Sequence, residues 1–254
     1  MFKSLDTLWL NTNPYLLRFN LPMVKYLSRH VNIAQWEYCQ TADEGTSLDI
    51  AIELLDDYIS LLKKPINLIG HSTCGLLGLL YAQKYPDKVK SLVILGVGTN
   101  PALDWISYYY LLRTNFYCSK ERILARVASY LFGYHNQYYQ KAFMGLLEKA
   151  LLYSLSPHSL YQRHDLSIEQ ITSPLMICGC EKDKIISGEE MRKWEKHLKP
   201  QDRLWQCDQT EHFFHYFQPT LVGQNILDFW VSQGNDSTNI LPEMSKLNGA
   251  EKVF

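Results

Sequence analysis

Apolar residues along this chain follow two patterns, one periodic and one continuous. Between residues 48 and 62, leucine and isoleucine recur at steps of four and three, so they share one face of a predicted helix. Residues 66–69 instead form a short, mostly apolar run between Pro65 and Gly70. Such a run is typical of a strand that is buried on both faces of a sheet.

Segments of these two kinds alternate along most of the chain. Strands are predicted at 7–10, 31–38, 66–69, 91–96, 174–180 and 203–207. Helices are predicted at 21–30, 48–62, from 73 to about 85, 189–198 and 219–232. Strands separated by helices form parallel sheets with right-handed crossovers. The predicted fold class is α/β, with a mostly parallel central sheet of about six strands flanked by helices.

The alternation breaks between residues 99 and 170, where no convincing strand is found. This stretch is rich in tyrosine, and its helical candidates are 122–131 and 137–152. We expect an α-helical cap over the carboxyl edge of the sheet, where open α/β sheets bind their ligands. The predicted domains are an α/β core of 1–98 and 171–232, the cap of 99–170, and a polar C-terminal tail of 233–254.

Composition narrows the classes of function. The chain has 254 residues, 46% hydrophobic and 20% charged, with a formal net charge of -1. A near-neutral chain predicts no broad attraction to nucleic acid, and no apolar run reaches the ~20 residues of an integral membrane segment. Residues 1–10 do not show the pattern of a secretory signal, so we expect none, and six scattered cysteines predict reduced thiols in a cytoplasmic protein. Cys178 and Cys180 lack a second Cys/His pair at ligand spacing, so we expect no metal site. We also expect no cofactor.

Residues 70–75, with the sequence GHSTCG, join a predicted buried strand to a leucine-rich helix. A sharp turn there lifts the side chain of Ser72 above the sheet, and small neighbours allow the close packing that the turn requires. The Ser72 oxygen then lies near a helix N-terminus, whose free N–H groups stabilise negative charge. An ordinary helix-capping serine is the alternative interpretation. The strand–turn–helix context favours a nucleophile.

The GHS sequence at 70–72, followed by YPDKVKSLVI at 85–94, resembles the central segment of the α/β-hydrolase superfamily. The resemblance extends in segment order from about Leu5 to Ser232 and is weak across the cap. It implies the superfamily's fold, a small-molecule substrate, and a nucleophile, acid and histidine that follow one another along the chain.

A serine nucleophile needs a base, and the base needs a carboxylate to orient it. Superfamily members carry their acid in a turn after a late strand, and Asp183 falls at that position. Glu181, in the same turn, and Asp104, after the preceding strand, are alternatives. For the base, His212 follows the last predicted strand directly and is preferred over His215.

Two positions depart from the superfamily pattern. Cys74 stands where a glycine is usual, two residues after the serine, and the sequence NTNP at 11–14 stands where many members have His-Gly. An oxyanion hole uses backbone N–H groups, so Thr12 or Asn13 can donate alongside Thr73, although Pro14 has no N–H. Loss of one such donor lowers turnover by about 10²–10³-fold.

Aromatic residues in the cap predict the class of substrate. Tyrosine combines an apolar ring with a polar tip, which suits a pocket for an apolar or amphipathic acyl or aromatic group. The candidate pocket residues are His71, Trp105, Tyr108 and Tyr109. The leading hypothesis is hydrolysis of an ester or thioester. Acyl transfer, carbon–carbon bond hydrolysis and a catalytically silent binding protein are alternatives.

Overall fold

A parallel sheet forms the centre of the fold. The computed structural model describes residues 5–40, 47–157, 171–208 and 211–234. The strands within these ranges are β1 (Thr7–Asn11), β2 (Ile33–Glu37), β3 (Ile66–His71), β4 (Val89–Leu95), β5 (Leu175–Cys180) and β6 (Arg203–Cys207). They pair in the order β2-β1-β3-β4-β5-β6, and every pairing is parallel. The predicted α/β class with about six strands is confirmed.

Helices connect the strands and cover the sheet. They are α1 (Leu21–Leu27), α2 (Leu48–Leu62), α3 (Thr73–Lys84), α4 (Trp105–Asn115), α5 (Lys120–Phe132), α6 (Gln137–Tyr153), α7 (Gly188–Arg192), α8 (Phe214–Phe217) and α9 (Pro219–Ser232). Ser47 caps α2 by accepting a hydrogen bond from the Asp49 N–H. None of the helices in the described ranges combines the length and apolar character that crossing a bilayer requires.

Burial on both faces of the sheet explains its nearly continuous apolar strands. In β1, Leu8 and Leu10 belong to a core cluster that includes residues of α2 and α3. Trp9, between them, belongs to a second cluster with residues of α1 and α9. Successive side chains of a strand point to opposite faces, so one strand serves both cores.

The structure locates part of the predicted cap and little of the predicted tail. Helices α4, α5 and α6 lie between β4 and β5, within the region predicted as a cap. Positions 158–170 of that region, and the tail beyond Gly234, lie outside the described residues. The boundaries of the cap stay a prediction.

Close backbone contact joins β3 to α3. A Cβ atom added to Gly70 would lie 2.4 Å from the carbonyl oxygen of Cys74 and 2.6 Å from the backbone nitrogen of Gly75. Real Cβ atoms do not approach backbone so closely, so glycine is required at position 70. This contact fixes the start of α3 against the carboxyl end of the sheet.

Candidate active site

Ser72 forms a strained turn between β3 and α3. Its φ and ψ angles are 53° and −126°, outside the regions that residues with a Cβ normally adopt. The turn is held by a 2.9 Å hydrogen bond from the Ser72 N–H to the carbonyl oxygen of Leu95, at the end of β4. The Ser72 side chain makes no capping hydrogen bond to α3, which disfavours the capping interpretation. Strain of this kind clusters at functional sites.

His212 and Asp183 form a buried pair at the same edge of the sheet. The Nδ1 atom of His212 lies 2.7 Å from Oδ2 of Asp183, and both side chains are almost fully buried. The other carboxylate oxygen, Oδ1, accepts hydrogen bonds from the backbone N–H groups of Ile185 and Ile186 at 2.7 and 3.1 Å. An ionised carboxylate only accepts hydrogen bonds, so the Nδ1–H of His212 donates to it. Nε2 of a neutral His212 then carries a free lone pair.

The ring of His212 lies beside the serine turn. A Cβ atom on Gly96, the residue after β4, would lie 3.0 Å from Cε1 of His212. The rings of His212 and His71 are 4.6 Å apart. Nε2 of His212 is buried and has no hydrogen-bond partner among the described residues, so Ser72 and His212 share no hydrogen bond in this conformation. This nitrogen remains available as a proton acceptor.

His215 has a different partner from His212. Its Nε2 lies 3.0 Å from Oδ1 of Asn20, and its ring is 4.5 Å from the ring of His71. The Nε2–H of His71 donates to the backbone carbonyl of His212, at 3.1 Å. Burial lowers the pKa of His71 well below its ordinary value and lowers the pKa of His215 to about 3. Both rings are therefore neutral near pH 7.

These buried histidines predict acid instability. An unfolded histidine has a pKa of about 6.5. His71 and His215 have lower pKa values when folded, so the unfolded chain binds more protons, and stability is lost as the pH falls from 6.5 towards the folded pKa values. Each histidine contributes a slope approaching about 1.4 kcal/mol per pH unit. We expect His215→Gln to flatten the dependence of urea unfolding on pH between 7 and 4.5, and parallel curves would contradict this.

The two alternative acids differ in burial and in their hydrogen bonds. Glu181 is exposed at the end of β5. The carboxylate of Asp104 caps α4 through a 2.7 Å hydrogen bond from the Ser107 N–H, and it accepts hydrogen bonds from Ser156 Oγ at 2.6 Å and from Thr73 Oγ1 at 3.4 Å. Glu211, which stands where superfamily members usually have glycine, is partly buried. Burial and the negative charge of Asp183 raise the pKa of Glu211.

A cavity of about 40 Å³ lies beside Ser72. It is lined by the loop after β1, the serine turn and several apolar side chains, among them Leu16, Trp105, Leu155 and Phe213. Of the predicted pocket residues, His71 and Trp105 line this cavity. Tyr108 and Tyr109 do not: the ring of Tyr108 packs 5.7 Å from that of Tyr130, and Tyr109 is buried in the core.

The predicted oxyanion-hole residues also line this cavity, but their N–H groups differ in availability. Thr73 is the first residue of α3, so its N–H has no acceptor within the helix. The Thr12 N–H donates to Sγ of Cys74 at 3.2 Å, and the Asn13 N–H donates to Oδ1 of Asn11 at 3.4 Å. The sequence offered no signal for these two bonds, and it did not single out Asn11 as a functional residue.

The parallel sheet and the strained serine turn between β3 and α3 identify the fold as that of the α/β hydrolases. A family model for the alpha/beta hydrolase fold matches residues 60–135, which contain the serine turn. An uncharacterized protein of Nostoc sp. (strain PCC 7120) is 42% identical over 91% of this chain and 92% of its own length. An uncharacterized protein of Synechocystis sp. (strain PCC 6803) is 38% identical over 91% of this chain and 93% of its own length. The chain belongs to the α/β-hydrolase superfamily.

Solved structures share the fold at low sequence identity. Naproxen esterase from Bacillus subtilis has a TM-score of 0.69 and 14% identity, and the match covers 91% of this chain and 85% of the esterase. The enol-lactonase from Burkholderia xenovorans LB400 has a TM-score of 0.66 and 16% identity over 89% and 92% of the two chains. The Paleococcus ferrophilus monoacylglycerol lipase has a TM-score of 0.61 and 16% identity over 89% and 94%.

Proposed function

We propose that this protein is a serine hydrolase that cleaves an ester or thioester. Ser72 is the nucleophile, His212 the base and Asp183 the residue that orients the base. The observation that carries this proposal is the strained backbone of Ser72 beside the buried His212–Asp183 pair. The superfamily to which the chain belongs supports the same chemistry.

The proposed reaction has two halves. Ser72 Oγ attacks the substrate carbonyl carbon while Nε2 of His212 takes the hydroxyl proton, and the carbonyl electron pair moves to the oxygen. Collapse of this intermediate breaks the bond to the leaving group, which receives the proton from His212. Water then attacks the acyl–Ser72 ester in the same way and releases the acid. Asp183 holds His212 in the required tautomer throughout.

The apolar side chains beside Ser72 support an apolar or aromatic acyl group as the part of the substrate that lies nearest to them. Trp105, Leu155 and Phe213 give the cavity apolar walls from the cap and from the segment after His212. The structural relatives named as an esterase, a lactonase and a monoacylglycerol lipase support an ester as the scissile group.

Labelling with a fluorophosphonate probe tests the proposal. The probe forms a covalent bond only with an activated serine, so we expect the wild type to be labelled and Ser72→Ala to be unlabelled. Ser232→Ala is the matched control and should label like the wild type, because Ser232 is the last residue of α9 and does not line the cavity. Equal labelling of the wild type and Ser72→Ala would contradict the assignment of Ser72.

A catalytically silent binding protein is the second candidate. The observation that favours it is the hydrogen bond between the Thr12 N–H and Cys74 Sγ, which occupies one predicted oxyanion donor. A folded wild type that neither reacts with the probe nor turns over aryl esters, but binds an ester substrate analogue in calorimetry, would support this candidate instead.

A further inference from the structure

Cys74 changes the hydrogen bonding at the edge of the serine turn. Its sulfur accepts the Thr12 N–H at 3.2 Å and lies 3.3 Å from the hydroxyl oxygen of Thr12. The thiol is buried, and burial raises its pKa, so it is uncharged near pH 7. An oxyanion beside Ser72 would have to compete with this sulfur for the Thr12 N–H.

Asn11 supplies a different donor at the same place. It is the last residue of β1, its side chain is only 2% exposed, and it lines the cavity with Ser72 and Thr73. The atom facing the Asn13 N–H must be an acceptor, which identifies it as Oδ1 and fixes the orientation of the amide. Nδ2 is buried and has no hydrogen-bond partner within the described part of the chain. Buried donors are usually paired, and because Asn11 lines the cavity, a ligand bound there could accept a hydrogen bond from this amide.

We propose that the side-chain amide of Asn11 is a catalytic oxyanion donor, acting with the backbone N–H of Thr73. This inference rests on the proposed function. When Ser72 Oγ bonds to the carbonyl carbon, the displaced electron pair makes the carbonyl oxygen negative. That oxygen accepts hydrogen bonds from Asn11 Nδ2 and Thr73 N, and no proton is transferred to it. Asn11 Nδ2 thereby takes the donor role of the Thr12 N–H, which is hydrogen-bonded to Cys74 Sγ.

The variant Asn11→Asp tests this role. Aspartate keeps the oxygen that accepts the Asn13 N–H, but it replaces the Nδ2 donor with a second acceptor. We expect kcat for a p-nitrophenyl ester to fall at least about 10²-fold, the usual effect of losing one oxyanion donor, while KM changes little. A wild-type kcat in Asn11→Asp would overturn the oxyanion role.

Asn67→Asp is the matched control. Asn67 is also a buried amide, at the opposite end of β3 from Ser72, and it bonds to the backbone of Asp6 and the hydroxyl of Ser91. The same chemical change there should leave kcat per folded molecule within about two-fold of the wild type. An equal fall in kcat for both variants would overturn the specific role of Asn11.

A measurement on the wild type keeps the proposal testable if Asn11→Asp does not fold. In protein labelled with ¹⁵N-asparagine, a trifluoromethyl ketone that forms a hemiketal anion with Ser72 should move the Asn11 side-chain proton signal downfield. No movement, although the inhibitor is bound, would overturn the oxyanion role.

The outcomes distinguish the two proposals. A turnover that depends on Ser72 but not on the Asn11 amide would overturn this inference and leave the serine hydrolase standing. Absence of any Ser72-dependent labelling or turnover would overturn both.

Discussion

Asp183→Asn is expected to lower kcat by about 10⁴-fold while leaving the protein folded. The asparagine oxygen can still accept the N–H groups of Ile185 and Ile186, so the turn after β5 keeps its hydrogen bonds. Its NH₂ group would then face Nδ1 of His212 and donate to it. His212 would therefore carry its proton on Nε2, where it cannot accept the proton of Ser72.

Asp104→Asn decides between the two candidate acids. Asp104 is also buried, but it caps α4, and its asparagine variant should retain activity within about ten-fold of the wild type. Steady-state kinetics on an aryl ester, with circular dichroism to verify folding, would measure both variants. If Asp104→Asn lost activity and Asp183→Asn retained it, the assignment of the acid would be wrong.

Gly70→Ala should have the largest effect on stability, a loss of about 3 kcal/mol or more in the free energy of unfolding. The added methyl group would overlap the backbone of Cys74 and Gly75, and backbone in the first turn of α3 cannot move aside as a flexible side chain can. The strand and the helix would have to separate at the serine turn. Urea denaturation measures the loss.

Gly145→Ala applies the same substitution where there is space. Gly145 lies inside α6, and a Cβ atom there meets nothing within 4 Å. Alanine favours helix by about 0.5–1 kcal/mol over glycine, so this variant should be slightly more stable than the wild type. Similar destabilisation by both substitutions would show that close packing at Gly70 is not the cause.

The sequence predicted helices and strands well where a single hydrophobic pattern dominated. The regular spacing of apolar residues in α2 and the continuous apolar run in β3 led to bounds close to those observed. A helix buried on one face and a strand buried on both faces have different patterns of apolar residues, so the two could be told apart. Helix α4 was missed. It begins with an aromatic cluster of modest helix propensity, and its start signal is a less obvious capping box between Asp104 and Ser107.

The candidate site was predictable in its residue types but not in its hydrogen bonds. Motif order proposed Ser72, Asp183 and His212, because each follows a strand that ends at the same edge of a parallel sheet. The bond between Thr12 and Cys74 joins residues 62 positions apart, and no local pattern encodes it. For the same reason, the sequence could not show that Tyr109 packs into the core while Trp105 lines the cavity.

The adjacency of β4 and β5 in the sheet affects how the sequence of this protein can change in evolution. Leu92 pairs with Leu175 and Leu95 with Cys178, so β4 and β5 are adjacent parallel strands, although the segment between them contains α4, α5 and α6. Evolution can lengthen, shorten or exchange those helices without altering the register of the strands beneath them. Selectivity among ligands can therefore change while the reactive groups keep their places.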